Sequence, residues 1–372
     1  MSKLFTKRNK KNKNYWKKII HTIFSKRKFM YELRKRKRHG ISTGGKDKKY
    51  KDKYISKITP IDVPAILCFD KNLCETLDFF NEIRKVGDNN KRLFIEMRYL
   101  KDISPEAALV LVAELDRRCI LSGKRIGVQS FNKWEIKIKT IFRDIGMYEF
   151  LHIELSRKQK LSNIHDDSNN IKFLKFRAGV DIDYGRKVEI IDDIKKLINN
   201  YEELNGRKTL KVGLTEAILN THHHAYPSDF IENSIFKKPK WWVSACFDSN
   251  NNNMKLIVYD QGKTIPGTLD LKKYVVLNES DSEKLKTAVE TSESSTKLAN
   301  RGKGLKSIKQ YAKNANNGEL VIISKKGYYK YIKNTDTIKT FNMRLALEGT
   351  LISWNGCIES DIDIDKSLYK EN

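Results

Sequence analysis

The period of the apolar positions changes along the chain, and these periods predict its secondary structure. From residue 65 to residue 151, short apolar runs of strand length alternate with longer segments in which apolar residues recur every three or four positions. The predicted strands are 65–69, 92–97 and 125–129, and the predicted helices are 74–86, 105–121 and 134–151. This alternation predicts an α/β layer in which helices pack on a sheet.

The second half of the chain mixes the two periods in a different order. Residues 188–204 and 214–226 have helical spacing, an apolar run ends at Tyr259, and helical spacing returns at 305–312. Strand-like segments close the sequence at 319–324, 328–333 and 351–354, with a turn predicted at 325–327. The fold class expected for the whole chain is α+β. The predicted divisions are a basic arm at 1–55, an α/β domain at 60–155, a linker at 156–180, a second domain at 181–356 and a tail at 357–372.

One predicted helix carries three polar side chains that are candidates for chemistry. Glu216, Asn220 and His224 lie four residues apart, so a continuous helix would place all three on one face while Leu214 and Ile218 turn toward a core. A carboxylate can serve as a general base, and an amide oxygen can hold Mg²⁺ beside phosphates. A solvated helix face is the alternative interpretation.

A glycine-containing turn follows the apolar run that ends at Tyr259. It contains Asp260, Gly262 and Thr264. Taken alone, an aspartate before a glycine is most often a turn residue. The turn becomes informative because it follows the polar helix face and precedes two further glycine motifs.

The first of these later motifs is Gly302-Lys303-Gly304, directly before the helical segment that begins at Leu305. Glycines allow the backbone to approach an anion, and a helix N-terminus offers free amide hydrogens. The second motif, Gly349-Thr350, enters the last strand. A polar stretch at 278–300 has the length and composition of a mobile loop.

In this order the four motifs resemble those of the GHKL ATPases, which include gyrase B, heat-shock chaperones, histidine kinases, MutL and the anti-sigma-factor serine kinases. The resemblance covers about 180–356 and implies a Bergerat-type α/β sandwich with ATP between helices and sheet, closed by a lid at 278–300. It implies that Glu216 acts on the attacking water or hydroxyl, that Asn220 holds Mg²⁺, and that Asp260 accepts a hydrogen bond from adenine. The implied nucleotide-binding residues are Asn220, His224, Asp260, Gly262, Thr264, Gly302, Lys303, Gly304, Leu305 and Thr350.

Two features depart from relatives of this kind. Thr264 stands where the family has a second glycine. The helix at 188–204 contains no histidine, which argues against autophosphorylation of the histidine-kinase type. His222, His223 and His224 are adjacent, but neighbouring helical side chains point about 100° apart, so they are not expected to bind one metal ion.

Residues 92–109 resemble part of a STAS domain, the fold of anti-sigma-factor antagonists, and Ser104 occupies the place of their phosphorylatable serine. A structural role is the alternative and preferred interpretation. Ser104, Pro105 and Glu106 together make a complete helix start, with a cap, a proline in the first turn and an early acidic residue.

The net charge of +27 is concentrated at the N-terminus. Residues 1–53 contain 21 Lys or Arg and three Asp or Glu, a net of +18. Within them an apolar stripe with helical spacing is formed by Trp16, Ile19, Ile20, Ile23 and Phe24. The arm is expected to bind nucleic acid or, alternatively, an anionic membrane surface, and a solvated tail remains open.

The five cysteines show no Cys-x-x-Cys spacing, and no apolar run approaches the ~20 residues of a membrane span. Together these features predict a cytoplasmic protein. The expected function is Mg²⁺-dependent ATP hydrolysis or serine-kinase-like phosphoryl transfer that switches a partner protein. The alternatives are a nucleic-acid-binding regulator that binds nucleotide without turnover, and a peripheral membrane adaptor. Expected partners are ATP, a protein, nucleic acid through residues 1–55, and a second copy of the chain.

Overall fold

The structure is a computed structural model of the full chain. It describes residues 58–87, 92–123, 126–129, 131–153, 170–180, 184–197, 207–234, 238–269, 279–290 and 304–357. The predictions for the basic arm, for Gly302 and Lys303, and for the tail beyond Cys357 therefore lie outside the described residues. The described residues from Thr59 onward form one compact unit. No helix in the described part of the chain is both long and apolar enough to cross a bilayer.

The first layer follows the predicted strand–helix order. Its strands are β1 (Ile58–Asp62), β2 (Ile66–Leu67), β3 (Arg92–Glu96), β4 (Asp102–Ile103) and β5 (Gly127–Gln129), and its helices are α1 (Leu73–Gly87), α2 (Pro105–Ser122), α3 (Ile136–Asp144) and α4 (Met147–Phe150). A three-stranded sheet has the order β1-β3-β5, and β2 pairs with β4. Strands β3 and β5 are parallel, as are β2 and β4. Parallel pairing requires the helical crossovers that the sequence predicts.

The start of α2 is the helix start that the sequence predicts. Ser104 is extended, and its hydroxyl accepts a hydrogen bond from the Ala107 amide at 3.2 Å. Pro105 is the first helical residue, and Gly123 ends the helix in the left-handed conformation with φ of 57°. The capping interpretation of Ser104 is therefore confirmed.

The second half of the chain forms one antiparallel sheet with helices. Its strands are β6 (Ile171–Phe173), β7 (Arg177–Gly179), β8 (Trp241–Asp248), β9 (Asn253–Asp260), β10 (Asn316–Ile332) and β11 (Thr337–Cys357), in the order β10-β11-β9-β8-β6, with β7 also paired to β8. Its helices are α5 (Tyr184–Leu197), α6 (Arg207–Asn220), α7 (Ser228–Asn233), α8 (Ile265–Leu269), α9 (Asp281–Glu290) and α10 (Gly304–Asn314). The expected α+β class is confirmed at this level.

Both faces of this sheet are buried, each against a different layer. Alternate residues of the central strands, such as Leu256 and Val258 on β9, belong to a core shared with α5, α6, α9 and α10. The intervening residues, such as Ile257 and Tyr259, belong to a core shared with α1 and α2 of the first layer. Side chains on a strand alternate between faces, so each strand contributes to both cores.

Four predictions of secondary structure differ from the structure. The helix predicted at 134–151 is two helices, α3 and α4, separated at Gly146, which takes the left-handed conformation with φ of 75°. Part of the predicted linker 156–180 is sheet, because β6 and β7 both pair with β8. Residues of the predicted lid form α9, whose Leu285 and Val289 are fully buried. The turn predicted at 325–327 is a bulge between β10 and β11, and the hairpin instead turns at residues 333–336. Residues 325–327 form a bulge and not a turn because Lys325 takes the left-handed conformation, with φ of 56°.

Candidate functional site

The candidate site lies at the end of β9, on the face of the large sheet that α5, α6, α9 and α10 cover. Asp260 is the last residue of β9 and is only 6 % exposed. In the ladder it lies between Thr350 of β11 and Trp241 of β8. Thr350 in turn is opposite Ser324 of β10. Four adjacent strands thus bring together residues from positions 241 to 350 of the sequence.

The Asp260 carboxylate accepts a hydrogen bond from the Gly262 amide at 2.9 Å. Burial raises the pKa of the Asp260 carboxyl to about 7, although the Gly262 amide and the Thr221 hydroxyl both favour the ionised form and lower it. A buried carboxylate with so few hydrogen-bond donors has a strong requirement for another donor when it is charged.

The end of the polar helix packs directly on the turn that follows Asp260. Helix α6 ends at Asn220 and continues as one π-helical turn, Thr221–Ala225. The Ala225 carbonyl accepts from the Lys263 amide at 2.5 Å. A Cβ on Gly262 would lie 2.3 Å from that carbonyl oxygen, so only glycine allows this approach.

The three predicted polar residues of this helix have different positions. Glu216 is half-buried on α6, one turn before Asn220. Asn220 is the last α-helical residue, and its amide nitrogen is buried without a hydrogen-bond partner. His224 lies in the π-helical turn, with its ring 6.3 Å from that of His223. The wider turn rotates the chain, so the continuous α-helical face predicted through His224 ends at Asn220.

Thr350 belongs to a small group of buried hydroxyls. Its Oγ1 lies 2.9 Å from Ser324 Oγ, and Ser324 Oγ accepts from the Ile265 amide at 2.9 Å. Gly349 precedes Thr350 with φ of 90°, and a Cβ there would lie 1.9 Å from the Asp260 carbonyl oxygen. The Gly349-Thr350 pair therefore lets β11 lie close against the end of β9.

Thr264 has a structural role at the start of α8. Its hydroxyl accepts a hydrogen bond from the Gly267 amide at 3.1 Å, and its carbonyl accepts from the Thr268 hydroxyl at 3.0 Å. These contacts cap the short helix α8. Threonine is a common helix cap, because its hydroxyl oxygen accepts a hydrogen bond from a backbone amide that the first helical turn leaves free.

Of the predicted phosphate-binding segment, the described part begins at Gly304. This glycine is the first residue of α10, and the half-buried Leu305 packs against the core beneath the helix layer. Helix α10 packs beside α6, so the start of one helix and the end of the other belong to the same layer.

Thr221 and Ser324 were missed by the sequence reasoning. Thr221 follows the recognised Asn220 directly, and its hydroxyl interacts with Asp260. Ser324 continues the alternation of Leu320 and Ile322, and a polar residue at an inward position of a strand is a detectable signal. No group of three or more His, Cys, Asp or Glu side chains within the described residues could hold a metal ion.

No protein-family model matches this chain, and no curated protein matches its sequence.

Stability should depend on pH through Asp260. A carboxyl whose pKa is about 7 when folded binds more protons than the unfolded chain between about pH 4 and 7, so the free energy of unfolding falls as pH rises. Asparagine imitates the neutral carboxyl. Between pH 5 and 8 we expect wild type to lose on the order of 2 to 3 kcal/mol relative to Asp260→Asn.

Denaturant unfolding of both proteins at the two pH values measures this change. A difference between them that stays constant with pH would show that the Asp260 carboxyl does not titrate in this range.

Proposed function

We propose that the chain is an ATP-binding protein of the GHKL type, which uses Mg²⁺ and ATP to switch a partner protein in the cytoplasm, by hydrolysis or by phosphoryl transfer to a serine. The observation that carries the proposal is the contact between the end of α6 and the buried Asp260 turn, beside Thr350. Three motifs that are distant in the sequence meet there, between the sheet and the layer of helices that contains α6. Within the proposal, the helix-covered half is Bergerat-type and the first layer is STAS-like.

The residue chemistry supports a site for adenine. Asp260 is a buried acceptor whose ionised form needs a further donor, and the exocyclic amine of adenine is such a donor. Guanine has a carbonyl oxygen at the corresponding ring position, which would meet the carboxylate with like partial charge. Asp260 would thereby select ATP over GTP.

The phosphates would extend from this end of β9 toward α6 and α10. The unpartnered buried amide of Asn220 is consistent with a group that needs a ligand, and its oxygen would hold Mg²⁺. Mg²⁺ supplies charge neutralisation for the phosphate oxygens. Glu216, one helical turn away, would accept the proton of the attacking water or hydroxyl. The backbone amides at the start of α10 would donate to phosphate oxygens.

The acceptor of a phosphoryl group would be a serine of another protein. Ser104 of this chain caps α2, and α2 packs on the opposite face of the sheet from Asp260. Its neighbour Glu106 contacts Lys255, which lies in the first half of β9, away from the end that carries Asp260. Intramolecular transfer to Ser104 would therefore require the two layers to separate. A second copy of the chain is one candidate partner.

ATP binding and phosphate release measured on one preparation test this function. Saturable ATP binding with Mg²⁺-dependent phosphate release supports the proposal. Saturable binding without any release favours the regulator that binds nucleotide without turnover. Absence of binding would remove the nucleotide from the account.

The charge of the N-terminal arm favours a second activity, the binding of polyanions. Residues 1–53 carry a net charge of +18 out of +27. We expect the full chain to bind RNA or DNA with little sequence preference, and to lose affinity steeply as salt rises, because phosphate contacts release counterions. Deletion of residues 1–55 should abolish this binding and preserve ATP binding.

Electrophoretic mobility shifts at two salt concentrations measure the effect, with anionic vesicles as the comparison. Equal nucleic-acid binding by the truncated protein would refute the assignment to the arm. Preferential binding of the vesicles would favour the membrane alternative.

A further inference from the structure

Helix α2 of the first layer runs along β9, on the face of the strand opposite to Asp260. Two of its carboxylates lie eight residues apart and contact different parts of the strand. Glu106 Oε1 accepts from Lys255 Nζ at 2.7 Å, and Glu114 Oε1 accepts from Gln261 Nε2 at 2.9 Å. The Tyr259 hydroxyl also contacts Glu114, and eight helical residues rise about 12 Å, which is comparable to the length of strand between Lys255 and Tyr259. Helix and strand therefore run side by side, and Glu114 meets the end of β9.

Glu114 is the centre of a buried polar cluster. Its side chain is about 1 % exposed, and Oε1 accepts from Arg84 Nε at 2.9 Å and Nη2 at 2.5 Å. The Tyr259 hydroxyl lies 3.2 Å from the same oxygen and donates to the Glu348 carbonyl at 2.6 Å. Burial acts to lower the pKa of Arg84, but the charge of Glu114 raises it above the usual range, so Arg84 stays charged.

The strand residues that contact this cluster are the two neighbours of Asp260 in the sequence. Because side chains alternate along a strand, Tyr259 and Gln261 point toward Glu114 while Asp260 points toward the helix layer. The backbone amide of Gln261 also donates to the Tyr226 hydroxyl at 3.3 Å. Both neighbours of Asp260 are thus held by Glu114 of the first layer, and the Gln261 backbone is held in addition by Tyr226.

We propose that Glu114 is a positioning residue, which acts through Tyr259 and Gln261 to fix the Asp260 turn and makes nucleotide binding sensitive to the packing of the first layer. The functional half of this proposal rests on the proposed ATP site. The positioning half rests only on the contacts around Glu114. A partner that loosens or tightens α2 against β9 would then change the affinity for nucleotide.

Helix α2 also carries a matched control residue. Glu106 is a partly buried carboxylate on the same helix and the same face, and it accepts from Lys255 and from Ser353 Oγ at 3.0 Å. Its contacts lie away from the Asp260 end of β9. Glu114→Gln is therefore paired with Glu106→Gln, and Gln261→Met, which leaves the Arg84 pair intact, is paired with Lys255→Met.

Two measurements on the full chain decide the proposal. The first is hydrogen exchange of the Gly262 amide without nucleotide, since that amide donates to Asp260. The second is the dissociation constant for ATP. Substitutions within a coupled network typically change such equilibria by about threefold to thirtyfold. We expect changes of this size in both measurements for Glu114→Gln and Gln261→Met, and changes below about twofold for the two controls.

The outcomes separate the two halves of the proposal. The positioning role would be overturned if hydrogen exchange at Gly262 rose equally in variants and controls, in proportion to their loss of stability. Unchanged exchange in Gln261→Met would overturn it as well. Altered exchange with unaltered ATP affinity would overturn the coupling to nucleotide. If wild type does not bind ATP, the proposed function and the coupling both fail, while the exchange data still decide positioning. Gln261→Met provides this test even where Glu114→Gln does not fold.

Discussion

Asp260→Asn is expected to weaken ATP binding by about tenfold to a hundredfold at pH 8, while the protein stays folded. The substitution would remove the proposed charge-assisted hydrogen bond to adenine, and such a bond contributes about 1.5 to 3 kcal/mol. It keeps the volume of the side chain, and the neutral amide is easier to bury than the carboxylate at this pH. Titration calorimetry of wild type and variant measures the change.

A second aspartate supplies the control. Asp248 ends β8 as Asp260 ends β9, and it accepts from the amide two residues later, Asn250, at 3.0 Å. Asp248→Asn therefore makes the same chemical change in a similar turn at the other end of the sheet, and it should leave ATP affinity unchanged. Equal affinity in Asp260→Asn and wild type would contradict the adenine contact.

Glu216→Gln is expected to retain ATP binding and to lose turnover. Removal of a general base typically lowers the rate about 10²- to 10⁴-fold, because the attacking oxygen then keeps its proton. Glutamine preserves the size of the side chain at this half-buried position on α6. Single-turnover phosphate release and an ATP titration on the same samples separate the chemical step from binding.

Asn220→Ala provides the comparison on the same helix. It should lose the Mg²⁺ dependence of binding as well as turnover, because it removes the proposed metal ligand and leaves Glu216 in place. Turnover that is equal in wild type and Glu216→Gln would show that another residue acts as the base.

Much of the fold could be predicted from local pattern. The spacing of apolar residues predicted helices α1, α2 and α6, and the Ser104-Pro105 start predicted the beginning of α2, because capping is decided within four residues of sequence. The motif order predicted that Asp260 and Thr350 belong together. The register that pairs Asp260 of β9 with Thr350 of β11 joins residues 90 positions apart, so local pattern could not predict it.

The remaining features depend on tertiary contact. The π-helical turn at Thr221–Ala225 is adapted to Gly262 and Lys263, which follow about 40 residues later. The polar composition around Asp281 suggested a loop, but two fully buried residues, Leu285 and Val289, hold α9 in the helix-side core. The packing of the first layer on the back of the large sheet had no local signal, because Glu106 and Glu114 resemble ordinary helix-surface carboxylates in sequence.

The buried Asp260 turn is proposed to form an adenine site. Its most direct test is an equilibrium titration of the full chain with ATP and with GTP, both in the presence of Mg²⁺, at pH 8 where the Asp260 carboxyl is mostly ionised. We expect one saturable ATP site per chain, and GTP binding weaker by at least about tenfold, the value of one lost charge-assisted hydrogen bond. No saturable binding, or equal affinity for the two nucleotides, would show that the Asp260 turn does not form an adenine site.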